Sequence, residues 1–236
     1  MLHTLNNLIR RKSMPARVLL SKLCYADPGT LQSNEYQDSR YLPAYYHLGK
    51  TTKAKKVLNI GFNLGMTLGS YLFGARSCKM VVAIHEPDNA FYTKRLGVHN
   101  IFAVYKGKFE LLECTFRDFN SVSHEWDLVI IEGERPTETQ VQVMSEVWGQ
   151  TGLMCIDRLD KNKQAVEEFT INRKLLPVVV QSRYGMAIYS RHSSQQHSQN
   201  SATHSTVQES DLTSAKRTNP FLVGTAPTVV TSAPQT

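Results

Sequence analysis

From residue 56 onward, apolar and polar positions keep changing rhythm along the chain. Compact apolar runs at Lys56–Ile60, Met80–His85, Trp126–Ile131 and Gly152–Ile156 read as strands. The nearly unbroken run at 126–131 is typical of a central parallel strand covered on both faces. Between these runs the apolar residues recur at helical spacing. Gly65–Ala75, Pro87–Leu96, Thr137–Trp148 and Lys163–Asn172 read as helices, the second opened by proline and an acid. Asn100–Tyr105 reads as a further short strand. Pro177–Gln181 and Met186–Tyr189 flank Ser182-Arg-Tyr-Gly185 and read as two strands joined by a tight turn. Strands alternating with helices predict an α/β sandwich with right-handed crossovers, closed by an antiparallel C-terminal hairpin.

The first strand runs directly into a loop with glycine at 61, 65 and 69, and an apolar helical run, Met66 to Phe73, follows. Strand, glycine turn and helix together bring backbone N–H groups and a helix N-terminus against a nucleotide-like ligand. A side chain there would block the ligand or forbid the turn. A dinucleotide G-x-G-x-x-G fits poorly, because Asn63 and Met66 stand where it needs glycine.

Composition divides the chain. The net charge of +7 sits entirely in the first 60 residues, since residues 61–236 hold 17 cations and 17 anions. Met1 to Ala26 lacks acids and mixes Arg10, Arg11, Lys12, Arg17 and Lys22 with leucines. This segment reads as an ordinary helix with a solvated basic face, as an arm for nucleic acid, an acidic partner or a membrane surface, or as a mitochondrial transit peptide. Beyond residue 191, Ser, Thr, Gln, Asn and His dominate without periodicity, a composition expected to stay disordered. The implied division is a basic helical segment at 1–50, an α/β domain at 51–191 and a polar tail at 192–236. Four scattered cysteines without a C-x-x-C pair point to the cytoplasm or another reducing compartment. No apolar run approaches the roughly 20 residues a bilayer span needs.

The glycine loop, taken with the element order, resembles that of the class I S-adenosylmethionine-dependent methyltransferases over about residues 55–190. The family's first motif ends a strand in an acid and continues into G-x-G-x-G. Here it reads Asn59-Ile60-Gly61-Phe62-Asn63-Leu64-Gly65, with asparagine at the acid and at the middle glycine. The second motif is a strand ending in an acid, here Glu86 with Asp88 just beyond, and Glu86 lies 25 residues after Gly61. At about that separation a carboxylate reaches a ribose diol bound beside the neighbouring strand. The fourth motif, Trp126-Asp-Leu-Val-Ile-Ile-Glu132-Gly-Glu134-Arg135, is similar to the small-molecule O-methyltransferase-like branch. That branch ends the strand in Asp-Gly-Asp-His.

The resemblance implies a Rossmann-like methyltransferase sandwich with a mostly parallel seven-stranded sheet. It further implies S-adenosylmethionine as cofactor, held by Asn59, Gly61, Asn63, Gly65, Glu86 and Asp88. Glu132, Glu134 or Asp157 would supply a catalytic base for O-methylation of a small acceptor. In metal-dependent members acids like Glu132 and Asp157 hold Mg²⁺, a hard cation that wants oxygen ligands, although Arg158 stands beside Asp157 here. Two alternatives remain open. An RNA-directed 2′-O-methyltransferase would use the basic segment to hold phosphate, although the Lys-Asp-Lys-Glu tetrad of that branch is absent. A catalytically inactive binding or scaffold module would explain Asn59, Asn63, Lys108 and Arg158.

Overall fold

The computed structural model describes residue 23 and residues 41–86, 91–115, 118–119, 125–180 and 184–191. Asp88, the basic segment before residue 41 apart from Leu23, and the polar tail beyond 191 lie outside the described residues. In chain order the elements are α1 (Tyr41–Thr51), β1 (Lys56–Ile60), α2 (Met66–Gly74), β2 (Met80–His85), α3 (Phe91–Val104) and β3 (Lys108–Glu113). They continue with β4 (Trp126–Ile131), α4 (Thr137–Trp148), β5 (Thr151–Asp157), α5 (Leu159–Arg173), β6 (Val178–Val180) and β7 (Met186–Ser190).

One seven-stranded sheet has the order β3-β2-β1-β4-β5-β7-β6. Strands β1 to β5 pair parallel, and β7 runs antiparallel to both β5 and β6. Side chains alternate across the pleat, so each strand feeds two cores. Val57, Val81, Leu128 and Ile130 pack beneath α1 and α2 on one face. Leu58, Ile60, Val82, Val129 and Ile131 pack against Val143, Met144 and Val147 of α4 and Val166 and Phe169 of α5 on the other. Burial of each such aliphatic side chain contributes about 1.5–3 kcal/mol. That is why the apolar runs, rather than turn residues, fix the strands.

Register decides which strand ends emerge together. Ile60 pairs with Ile84 on one side and Ile131 on the other. The residues that follow each strand, Gly61, Glu86 and Glu132, therefore emerge along one edge of the sheet.

One strand differs from the sequence expectation. Asn100–Tyr105 is not a strand, because α3 runs on to Val104. Its Asn100 side chain is buried and donates to the Leu64 carbonyl at 2.8 Å, and Ile101 is buried while Phe102 faces out. The third strand is instead the more polar Lys108–Glu113, at the sheet edge. Residues 41–51, at the end of the basic N-terminal segment, form a helix with eight buried residues that lies on the sheet. It crosses α2 with backbones nearly touching: a Cβ at Gly49 would meet the Tyr71 carbonyl at 2.1 Å, and one at Gly74 the Tyr46 carbonyl at 2.2 Å.

Candidate functional site

The loop after β1 turns because Gly61 and Gly65 take φ of 93° and 64°, a region that L side chains rarely enter. Space forbids a side chain as well. A Cβ at Gly61 would lie 2.4 Å from the Glu132 carbonyl, and one at Gly65 2.9 Å from the Gly97 carbonyl. The backbone N–H groups of Gly61 and Phe62 both donate to the Ile84 carbonyl, at 3.1 and 2.9 Å, which ties the loop to β2. His85 fixes it from below, its Nδ1–H donating to the Phe62 carbonyl at 2.5 Å. His85 is thus a support for the loop.

The loop and the start of α2 line a cleft of about 120 Å³. Gly61, Asn63, Gly65 and Thr67 form one wall, Glu132, Gly133 and Glu134 the floor, and Tyr41, Asp157 and Arg158 the far side. The Thr67 hydroxyl is buried without a hydrogen-bond partner among the described residues. A helix N-terminus with an uncommitted hydroxyl and no acid in its first turn suits a polar or anionic ligand group. A larger hollow of about 540 Å³ lies at the opposite end of the strands. Its cations Lys50, Arg76 and Lys106 sit at the C-terminal ends of helices, where exposed carbonyls attract them without any ligand.

The three acids of the cleft differ in their surroundings. Glu132 is buried and accepts from Asn59 Nδ2 at 2.6 Å. That contact accounts for asparagine at the position where the resembling family has an acid: an aspartate at 59 would set two carboxylates against each other in a dry site. Asn59 itself is fully buried and does not line the cleft. Asp157 is also buried and accepts from the Tyr41 hydroxyl at 2.6 Å. Glu134 is exposed and stands 3.9 Å from Lys161. Asn162 ties the last two loops together, its Nδ2 donating to the carbonyls of Gly133 at 3.0 Å and Asp157 at 2.8 Å.

Glu86 stands at the expected strand end but does not line the cleft. Arg135 holds it with two prongs, Nη2 to Oε2 at 2.8 Å and Nε to Oε1 at 3.5 Å. The guanidinium also donates to the Glu132 carbonyl at 2.8 Å and to Gln140 Oε1 at 3.3 Å.

The donor set does not fit the expected Mg²⁺. Among the described residues no group of three His, Cys, Asp or Glu side chains is placed to hold a metal ion. Glu132 and Asp157 already accept from Asn59 and Tyr41, with Arg158 adjacent. Two buried groups beside the cleft are not ready nucleophiles. Burial, then the Asp157 charge, pushes the Cys155 thiol and Tyr45 hydroxyl well above their ordinary values, so both stay protonated at neutral pH.

Sequence reasoning missed Tyr41, Thr67 and the role of Arg135. Tyr41 comes from a helix outside the α/β pattern, and no local spacing links residues 41 and 157.

The strand order, the glycine loop and the acids at the ends of β4 and β5 define the fold of the class I methyltransferases. No protein-family model and no curated protein matches the sequence. Solved structures match its shape. An S-adenosylhomocysteine-bound methyltransferase of Podospora anserina superposes with a TM-score of 0.57 at 13% identity, over 78% of this chain and 92% of that one. An O-methyltransferase of Bacillus cereus, also bound to S-adenosylhomocysteine, gives 0.57 at 11% identity, over 81% and 100%. An O-methyltransferase of tomaymycin synthesis from Streptomyces achromogenes, bound to S-adenosylmethionine, gives 0.55 at 13% identity, over 73% and 88%.

Proposed function

We propose that this chain binds S-adenosylmethionine in the cleft beside Gly61 and methylates an oxygen of a small acceptor. The observation that carries the reading is the cradle itself. Gly61 and Gly65, at positive φ and too tightly packed against Glu132 and Gly97 to carry a side chain, turn the loop along the cleft, and the buried Thr67 hydroxyl and the start of α2 border the same cleft. The S-adenosyl ligands of the structural neighbours support the assignment.

When bound, the cofactor supplies an electrophilic methyl group on a positively charged sulfur. Gly61, Asn63 and Gly65 would hold it with backbone groups, and Glu86 would accept from its ribose hydroxyls. The remaining task is to align an acceptor and take its proton. Asp157 is the carboxylate best placed for the proton: it lines the cleft, is shielded from water, and is oriented by Tyr41. Glu134, exposed at the rim, is suited to contact the acceptor rather than to remove its proton. A proton-transfer role of this kind contributes typically 10²- to 10⁴-fold to the rate.

A second reading, a binding module without turnover, is favoured by one observation: Arg135 already engages Glu86. The RNA-directed alternative rests on the basic segment, which lies outside the described residues apart from Leu23 and residues 41–50. Calorimetric titration with S-adenosylhomocysteine tests the cofactor assignment. Saturable binding is expected, and its absence at millimolar ligand in both the wild type and an Arg135→Met variant overturns the reading. If turnover is then found, Asp157→Asn should lower kcat about a hundredfold with little change in the donor KM.

A further inference from the structure

The Arg135–Glu86 pair is more than a surface ion pair. The Arg135 side chain is only 7% exposed, while Glu86 is 38% exposed. The guanidinium starts from the loop after β4 and ends at the carboxylate after β2, so it crosses the end of the strand lying between them, β1. Its Nη2 comes within 3.3 Å of where a Gly61 Cβ would stand. The cleft stops there, with neither Arg135 nor Glu86 among its lining residues. Bonds to the Glu132 carbonyl and Gln140 anchor the guanidinium in that crossing position.

We infer that Arg135 and a ribose diol compete for Glu86, so that this ion pair gates the ribose end of the cleft and sets the chain's affinity for adenosyl ligands. The inference rests on the cofactor assignment proposed above. Both oxygens of Glu86 face the guanidinium, so the two hydroxyls of a diol cannot take the same carboxylate face until Arg135 withdraws. A ligand whose binding state is only partly populated binds more weakly by that fraction. Removing the guanidinium therefore raises affinity, whereas a residue that merely braced Glu86 for the ribose would lower it when lost. A histidine, which the resembling branch carries at this position, cannot make the same two-pronged contact.

The test compares the wild type with Arg135→Met by calorimetry, using S-adenosylhomocysteine and its 2′,3′-dideoxy analogue, with the fold of each checked by circular dichroism. Competition predicts that Arg135→Met binds S-adenosylhomocysteine about ten-fold more tightly. The diol-free analogue should show less than about a two-fold change, because it makes no claim on Glu86. Tightening in Arg135→Met when the wild type binds too weakly to measure also supports the gate. If the wild type binds and Arg135→Met binds equally or more weakly, the gate is overturned while the cofactor assignment stands. Equal tightening toward both ligands overturns competition for the carboxylate. Should Arg135→Met fail to fold, Arg135→Lys keeps the charge but loses the two-pronged contact; it should tighten S-adenosylhomocysteine by a smaller factor, and unchanged or weaker binding overturns the gate.

Discussion

Asn59 shows how one residue can shift an acid from one strand end to its neighbour. It pairs across β1 and β4 with Ile130, and its amide donates to the Glu132 carboxylate at 2.6 Å. The acid of the cleft floor is therefore supplied by β4, and β1 supplies the donor that holds it. Asn59→Asp would replace that bond with two carboxylates in contact, one of which must be protonated or pushed apart. The variant should lose about 2–4 kcal/mol of stability at pH 7 and recover it progressively as pH falls toward the ordinary carboxylate range of about 4, read from urea midpoints across pH. A loss that does not depend on pH would place the role of Asn59 in packing. Residue-scale function was only partly legible in the sequence. Glu86, Glu132 and Asp157 stood out because strands end in acids there. The partners that define them, Arg135, Asn59 and Tyr41, lie 49, 73 and 116 residues away in the chain, where spacing carries no signal.

Elements were legible where burial is symmetrical. β1, β2, β4 and β5 sit inside the sheet with both faces covered, so their apolar runs stand out against any background. The edge is different. β3 alternates charged and apolar residues from Lys108 to Glu113, while the more apolar Asn100–Tyr105 just before it belongs to a helix with one face buried. α1 lies within the segment read as helical, but nothing in its spacing showed that it would pack on the sheet. Yet α1 is bound to α2 through bare backbone at Gly49 and Gly74. Gly49→Ala should force the two helices apart and cost about 1–3 kcal/mol, seen as a lower melting temperature. An unchanged melting temperature would mean that the crossing tolerates a methyl group.

At the scale of the whole molecule, the described part of the protein is a two-core sandwich with acids gathered at the C-terminal ends of its parallel strands and helix ends at the opposite edge. Near that opposite edge lies Cys78, whose thiol is pushed from 9.0 to about 11, chiefly by burial. The folded state therefore holds this proton more tightly than the unfolded chain does. That contribution is complete below about pH 9 and is lost as pH rises through about 11. Urea midpoints should fall across this interval, and the fall should be smaller in Cys78→Ala. Tyr71 and Tyr105, raised by burial as well, extend the same trend to higher pH. No helix among the described residues is long and apolar enough to cross a membrane. The bond from the Tyr41 hydroxyl to Asp157 has one more consequence, and it concerns time rather than shape. It closes a loop of 116 residues, so the wall of the cleft comes from the first described helix and its partner from the fifth strand. Contacts that distant are slow to form, because the chain between them must be ordered first. The cleft should therefore be completed late in folding, and ligand binding followed during refolding checks this: a cleft that forms with the first structure would place that order elsewhere.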